Sequence, residues 1–145
     1  LHVVGIENYS NSQYIDYYGI IDKTIKDQRN ELSKLYTMCD IFLLPSIAEG
    51  YGIAYIEASA FGMPQIGCKT QGVTTAVKDG ISGKLLDLDA EPDAYAKIIV
   101  SWVKNQDLYN KLVLGARRHY EENGNWELLI NRFIHEIKQI VQHWE

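Results

Sequence analysis

The stretch Pro45 to Pro64, PSIAEGYGIAYIEASAFGMP, limits the possible folds more than any other part of the chain. The apolar run Ile41 to Leu44 leads into it, and a short apolar run bounded by turn residues suits a strand buried on both faces. The loop SIAEGYG follows, with two glycines that let the backbone approach a ligand or take positive φ. After Gly52 the sequence IAYIEASAF is helical in character. Ala54, Ala58 and Ala60 are small enough for a helix to lie close on a sheet, and Gly62 followed by Pro64 is a stop signal. Strand, glycine loop and helix in that order aim free N–H groups and a positive helix end at whatever sits over the strand's C-terminal edge. A phosphate group is the natural guest there.

Two carboxylates frame the loop. Glu49 stands before the first glycine, and Glu57 follows after seven intervening residues, inside the first turns of the helix. Each can accept hydrogen bonds from hydroxyl groups. Acidic groups beside a phosphate cradle are poor phosphate ligands and good ligands for sugars on either side of a diphosphate. Taken singly, each is a solvated charge on a loop or helix surface. Taken together around Gly-Tyr-Gly, they point to function.

Pro45, Ser46, Glu49, Gly50, Tyr51, Gly52, Glu57, Ala58, Gly62 and Pro64 together resemble the signature of retaining glycosyltransferases of the GT-B fold, the large family-4 group. That signature runs Pro-Ser, a few residues, Glu-Gly-aromatic-Gly, Glu-Ala, then small-Gly-x-Pro. Further matches are GIIDK at 19–23, LYTMCD at 35–40 and VKDGISGKL at 77–85, and Trp126-Glu127 matches the aromatic–acid pair opening the family's last helix. The resemblance covers nearly the whole chain.

It implies an α/β fold: a Rossmann-like parallel sheet flanked by helices, the C-terminal half of a GT-B enzyme. Residues 1–145 are then a nucleotide-sugar donor domain lacking its first strand–helix unit, with the N-terminal acceptor-binding domain outside this chain. The implied reaction transfers a sugar from a nucleoside diphosphate donor to an acceptor with retention of configuration. By resemblance, Glu49 is the catalytic residue and holds hydroxyls of the transferred sugar. The N–H groups of Gly50, Tyr51, Gly52 and Ile53 face the sugar and diphosphate, Glu57 accepts from the ribose, and Ser46 or Thr74 adds a phosphate contact. Ile20, in the turn after the second strand, lies against the base, and Gly72 approaches the phosphate. No cofactor is expected beyond the donor substrate, and no metal. The chain departs from the family at Gln71-Gly72 and Val73-Thr74-Thr75, where the pattern has two glycines and then Pro-Glu. The family's arginine and lysine fall on a segment that would precede Leu1, so this piece alone is expected to be inactive. Two rival readings remain: a non-catalytic nucleotide-sugar-binding subunit, and a sugar-nucleotide epimerase of the same fold.

The bulk properties agree with this class. The chain has 145 residues, one domain's worth, with 46% hydrophobic and 23% charged residues. A net charge of -5 opposes nucleic-acid binding. Cys39 and Cys68 read as buried thiols in a reducing compartment. No run is apolar and long enough to span a membrane. The start LHVVG, without methionine, suggests a fragment of a larger protein. The expected location is cytoplasmic, with peripheral membrane association through the missing domain.

Taken in order, the pattern predicts strands at Leu1–Gly5 and Tyr14–Ile20 joined by an irregular connection, and a helix at Asp27–Met38. It then predicts strands at Ile41–Leu44 and Gln65–Cys68, a helix opening within Thr70–Val77, and a strand at Lys84–Leu88. A helix starts at Pro92, another is capped by Asp107 and runs to about Glu121, and an amphipathic helix spans Trp126–Trp144 with Leu129, Phe133, Ile137, Ile140 and Val141 as its stripe. There is no G-x-G-x-x-G fingerprint, which opposes a dinucleotide oxidoreductase.

Overall fold

The computed structural model describes residues 1–7 and 12–142. They form two compact units, Leu1–Cys39 and Asp40–Glu145.

In the first unit, β1 (His2–Val3) and β2 (Asp16–Tyr17) pair in parallel, His2 opposite Asp16 and Val3 opposite Tyr17. The ladder is far shorter than the expected Leu1–Gly5 and Tyr14–Ile20. Gly5 and Gly19 explain the stop, because both turn to positive φ (93° and 64°) where the strands would continue. Part of the expected irregular connection, residues 8–11, lies outside the described residues. After β2, the Asp22 carboxylate accepts from Thr24 N (2.8 Å) and Thr24 Oγ1 (2.7 Å). Those bonds hold its pKa below the usual carboxylate value. Helix α1 (Lys26–Met38) follows, burying Leu35 with Leu32 and Tyr36 half-buried beside it.

The second unit is built on three parallel strands, β3 (Phe42–Leu44), β4 (Gln65–Cys68) and β5 (Gly83–Leu86), with β4 central and wholly buried. Side chains alternate across the sheet. Phe42, Leu44 and Leu85 face one cluster with Tyr55 and Ile56 of α2 (Ile53–Ala60) and Val73 and Ala76 of α3 (Val73–Ala76). Ile41, Leu43, Ile66 and Leu86 face the other, with Trp102 of α4 (Pro92–Lys104) and Leu112 of α5 (Gln106–His119). Helices thus cover both faces of a parallel sheet. Among the described residues the strands form two parallel sheets, β1–β2 and β3–β4–β5, where one had been expected.

The helix ends show which sequence signals work. α2 stops in a Schellman motif: Gly62, at φ 71°, donates to Ser59 O (2.9 Å) and Met63 N to Ala58 O (3.0 Å). Pro92 opens α4 as expected. The cap of α5 is not Asp107 but Asn105, whose Oδ1 accepts from Leu108 N at 3.0 Å. Asp107 lies too far into the helix to cap it and instead places its charge in the positive first turn. α5 also ends before Glu121, passing at His119 into a π-helical turn, Tyr120–Gly124. Gly124 is buried there because a Cβ would press on Ile56 Cγ2 of α2 at 2.9 Å. Of the small residues expected to seat α2, Ala58 is buried, while Ala54 and Ala60 are half-buried.

α6 (Trp126–Gln142) carries the expected stripe, yet none of its described residues is buried, and Phe133 is 66% exposed. Trp144 lies outside the described residues. Among the described helices none is long and apolar enough to cross a membrane. Neither cysteine is in a disulfide; Cys68 is buried against the Tyr95 hydroxyl (3.0 Å), whereas Cys39 is only half-buried, contrary to expectation, because it lies in the extended link after α1.

His119 joins several of these elements. Its Nε2 lies 3.1 Å from Thr75 O and its Nδ1 3.3 Å from Asn123 Nδ2. A neutral ring satisfies both by donating from Nε2 and accepting at Nδ1. Burial holds the His119 pKa below its usual value; the Thr75 and Ala76 carbonyls and Glu122 oppose this, and Lys78 adds to it. The folded pKa therefore lies below the unfolded value of about 6.5. The stability it contributes is complete above about 6.5 and lost as pH falls through the folded value. Thermal unfolding between about pH 7.5 and 5 should show a melting temperature that falls with acid in the wild type, with a shallower fall in His119→Gln.

Candidate functional site

The chain leaves the sheet at Leu44, whose carbonyl accepts from Ser46 N (2.9 Å) and from the Tyr55 phenol (2.5 Å). It returns to regular structure at Gly52, the N-cap of α2, with φ 77° and ψ 51°. Only glycine takes that left-handed conformation at little cost, and it lets the backbone turn directly into the helix. No side chain caps the first turn of α2; Tyr55 N donates to Gly52 O at 3.0 Å, which leaves the N–H groups of Ile53 and Ala54 for another acceptor. The unit of strand, glycine loop and helix is therefore present, with the loop at the C-terminal edge of β3.

A second loop, residues 69–72 after β4, closes onto the first. Thr70 Oγ1 donates to Ile47 O at 3.3 Å. Gly72 packs so tightly that a Cβ would run into the Gly50 carbonyl oxygen and Tyr51 Cα. Gln71 has φ 24°, the one described non-glycine residue with positive φ, at the position where the resembled family has a glycine. The backbone thus keeps a glycine-like conformation while carrying a side chain. Thr74 Oγ1 donates back to Gln71 O at 3.0 Å, which turns that hydroxyl into its own loop.

The two loops bring together Ser46, Glu49, Gly50, Tyr51, Gly52, Ile53 and Gly72. Glu49 is half-buried on the loop, and Glu57 is half-buried on α2, one turn beyond Ile53. Gly50 and Ile53 are exposed. Ser46 Oγ is buried, and no described residue gives it a hydrogen bond of ordinary geometry. A buried polar atom of that kind costs free energy unless a ligand or water meets it. Ile20 belongs to the first unit and is 80% exposed there, so it is not a core residue of that unit.

Sequence reasoning missed three residues. Tyr55 is wholly buried beneath the loop; burial pushes its phenol up to about 12, against the neighbouring Ser46 hydroxyl and with the charges of Cys68, Glu49 and Tyr95. Thr70 ties the loops together, and His119 holds α3 through Thr75 O. For Tyr55 a signal existed: one large aromatic among small helix residues, with Gly67 in the strand beneath it.

Two adjacent substitutions should diverge. Gln71→Gly relieves a strain of about 1–3 kcal/mol against a glycine cost of about 0.5–1 kcal/mol, so thermal unfolding should show equal or higher stability. Gly72→Ala forces the loops apart and should lower it.

Comparisons place these features among known proteins. The family described as "Glycosyl transferases group 1" matches residues 1–119. A D-inositol 3-phosphate glycosyltransferase of Geodermatophilus obscurus is 36% identical over 103 residues, 71% of this chain and 22% of the relative. One from Salinispora arenicola is 32% identical over 102 residues, 70% of this chain and 22% of the relative. The chain thus spans about a fifth of the relatives it matches. Among solved structures, the sucrose-phosphate synthase of Thermosynechococcus elongatus superposes with a TM-score of 0.73 at 22% identity, over 89% of this chain and 31% of that one. Anabaena Alr3699/HepE in complex with UDP-glucose superposes with a TM-score of 0.72 at 21% identity, over 88% and 32%. The shared fold is the Rossmann-like C-terminal half of the GT-B architecture.

Proposed function

We propose that this chain, which belongs to the glycosyl transferases group 1 family, is the donor-binding part of a retaining, family-4-like transferase that uses a nucleoside-diphosphate sugar. One observation carries the reading: two loops close on each other through Gly72 and Gly50, around a half-buried Glu49, at the uncapped start of a helix. The neighbour bound to UDP-glucose supports a nucleotide sugar as the guest. The acceptor and its binding domain belong, in this reading, to the rest of the protein.

Each residue then has a task. The N–H groups of Gly50, Tyr51, Gly52 and Ile53 meet the diphosphate, whose negative charge grows as the glycosidic bond breaks, and Ser46 Oγ finds its partner there. Donors already fixed in place stabilise that charge without reorganising. Gly72 keeps the second loop close enough to share the anion. Glu49 accepts from hydroxyls of the transferred sugar, next to the carbon that becomes electron-poor. Glu57 accepts from the ribose, away from the reaction. This division needs no resident metal.

The full-length protein tests the division. A thermal-shift panel of UDP, GDP and ADP first selects the nucleotide. Glu49→Gln should then lower turnover at saturating donor, and Glu57→Gln should raise the Michaelis constant for the donor. A hydrogen bond to a charged group is worth about 1.5–3 kcal/mol, so each change should be about ten- to a hundredfold. The free nucleoside diphosphate should bind more weakly to the Glu57 variant and normally to the Glu49 variant. Wild-type binding and turnover in both variants would reduce the pair to solvated charge. Donor binding without turnover in the wild type would favour a non-catalytic subunit.

A further inference from the structure

We infer that Tyr55 is a positioning residue: its phenol ties the start of α2 to the end of β3 and so fixes the loop that carries Ser46 and Glu49. The inference rests on the donor-site reading above and goes beyond it, because Tyr55 is wholly buried and presents no surface to a donor. The loop leaves regular structure at Leu44 and re-enters it at Ile53, and Tyr55 sits two residues into the helix. Its 2.5 Å bond to Leu44 O therefore closes the loop at its base. The Leu44 carbonyl also receives Ser46 N at 2.9 Å, so two donors outside the sheet ladder meet it where the loop departs. Without the phenol, a half-buried carbonyl loses one of its donors at that hinge.

The fit around the phenol is close. The ring meets Phe42 edge-on, with centroids 5.3 Å apart. The hydroxyl passes over Gly67, where any Cβ would overlap it. A phenylalanine would bury nearly the same surface, so the hydroxyl adds the tie to Leu44 and little else. The phenol has one proton and gives it to Leu44, so it offers only lone pairs to the neighbouring Ser46. Thr70, through Ile47 O, and Gly72, against Gly50, hold the far side of the same loop. Ser46 and Glu49 lie between these anchors.

The test uses the full-length protein with its preferred nucleotide sugar. Tyr55→Phe should lower turnover at saturating donor by about tenfold, the value of one hydrogen bond, and should weaken binding of the free nucleoside diphosphate as well, since Ser46 rides on the same loop. Unchanged turnover with a lower melting temperature would show a bond that serves stability alone and overturn the proposal. Weaker diphosphate binding with turnover unchanged at saturating donor would overturn it too, since Glu49 would then stand in place without the phenol. If Tyr55→Phe does not fold, 3,5-difluorotyrosine at position 55 fills nearly the same space and ionises at lower pH. Its turnover should then fall at a lower pH than the wild type's as the phenol loses the proton it gives to Leu44; coincident profiles would overturn the proposal. Glu49→Gln, run alongside, separates the two levels: unchanged turnover in that variant overturns the site reading and this inference with it.

Discussion

The approach of Gly72 to the Gly50 carbonyl is the constraint on which the rest of the site depends. Two loops from neighbouring parallel strands can meet backbone to backbone only where one of them lacks a side chain. Once they meet, the first loop has no freedom to swing away from the sheet edge. The Thr70 bond to Ile47 and the left-handed Gly52 then fix its far limb and its entry into α2. The result is a rigid rim made largely of backbone, with carboxylates placed at its edges. Rigid polar groups of this kind suit a charged guest, because they are paid for during folding and not at the moment of reaction.

The packing behind the rim explains how so short a sheet holds it. β4 is buried along its whole length, and alternate residues of β3 and β5 feed separate clusters on the two faces. α2 is fastened at both ends, by Gly52 at the start and by the Schellman turn at Gly62, and its side rests on the π-helical turn at Gly124. π-helical turns arise where a helix accepts an extra residue at some cost. Here the turn redirects the chain from α5 to α6 and brings His119 onto Thr75 O.

Much of this was legible in the sequence because glycine and proline act locally. The strand at Gln65–Cys68, the helix after Gly52, the stop at Gly62 and the start at Pro92 all follow from short-range rules. The errors came where a neighbour decided the outcome. Asn105 and Asp107 are both good caps, and only the bond to Leu108 N shows which one serves. The first two strands looked long by composition, but Gly5 and Gly19 cut them short. Tyr55 and His119 went unread as site components, since their roles depend on carbonyls 11 and 44 residues away in the chain.

The contact between Tyr55 and Gly67 also couples two positions of the chain. The two residues are far apart in sequence, yet each sets what the other may be. With alanine at position 67, a tyrosine at 55 has nowhere to put its hydroxyl. With a smaller residue at 55, the atoms that a Cβ at position 67 would overlap are gone. The substitutions are therefore coupled and not additive. While the tyrosine stands, the glycine cannot be exchanged alone, so one position of the chain is effectively locked by another.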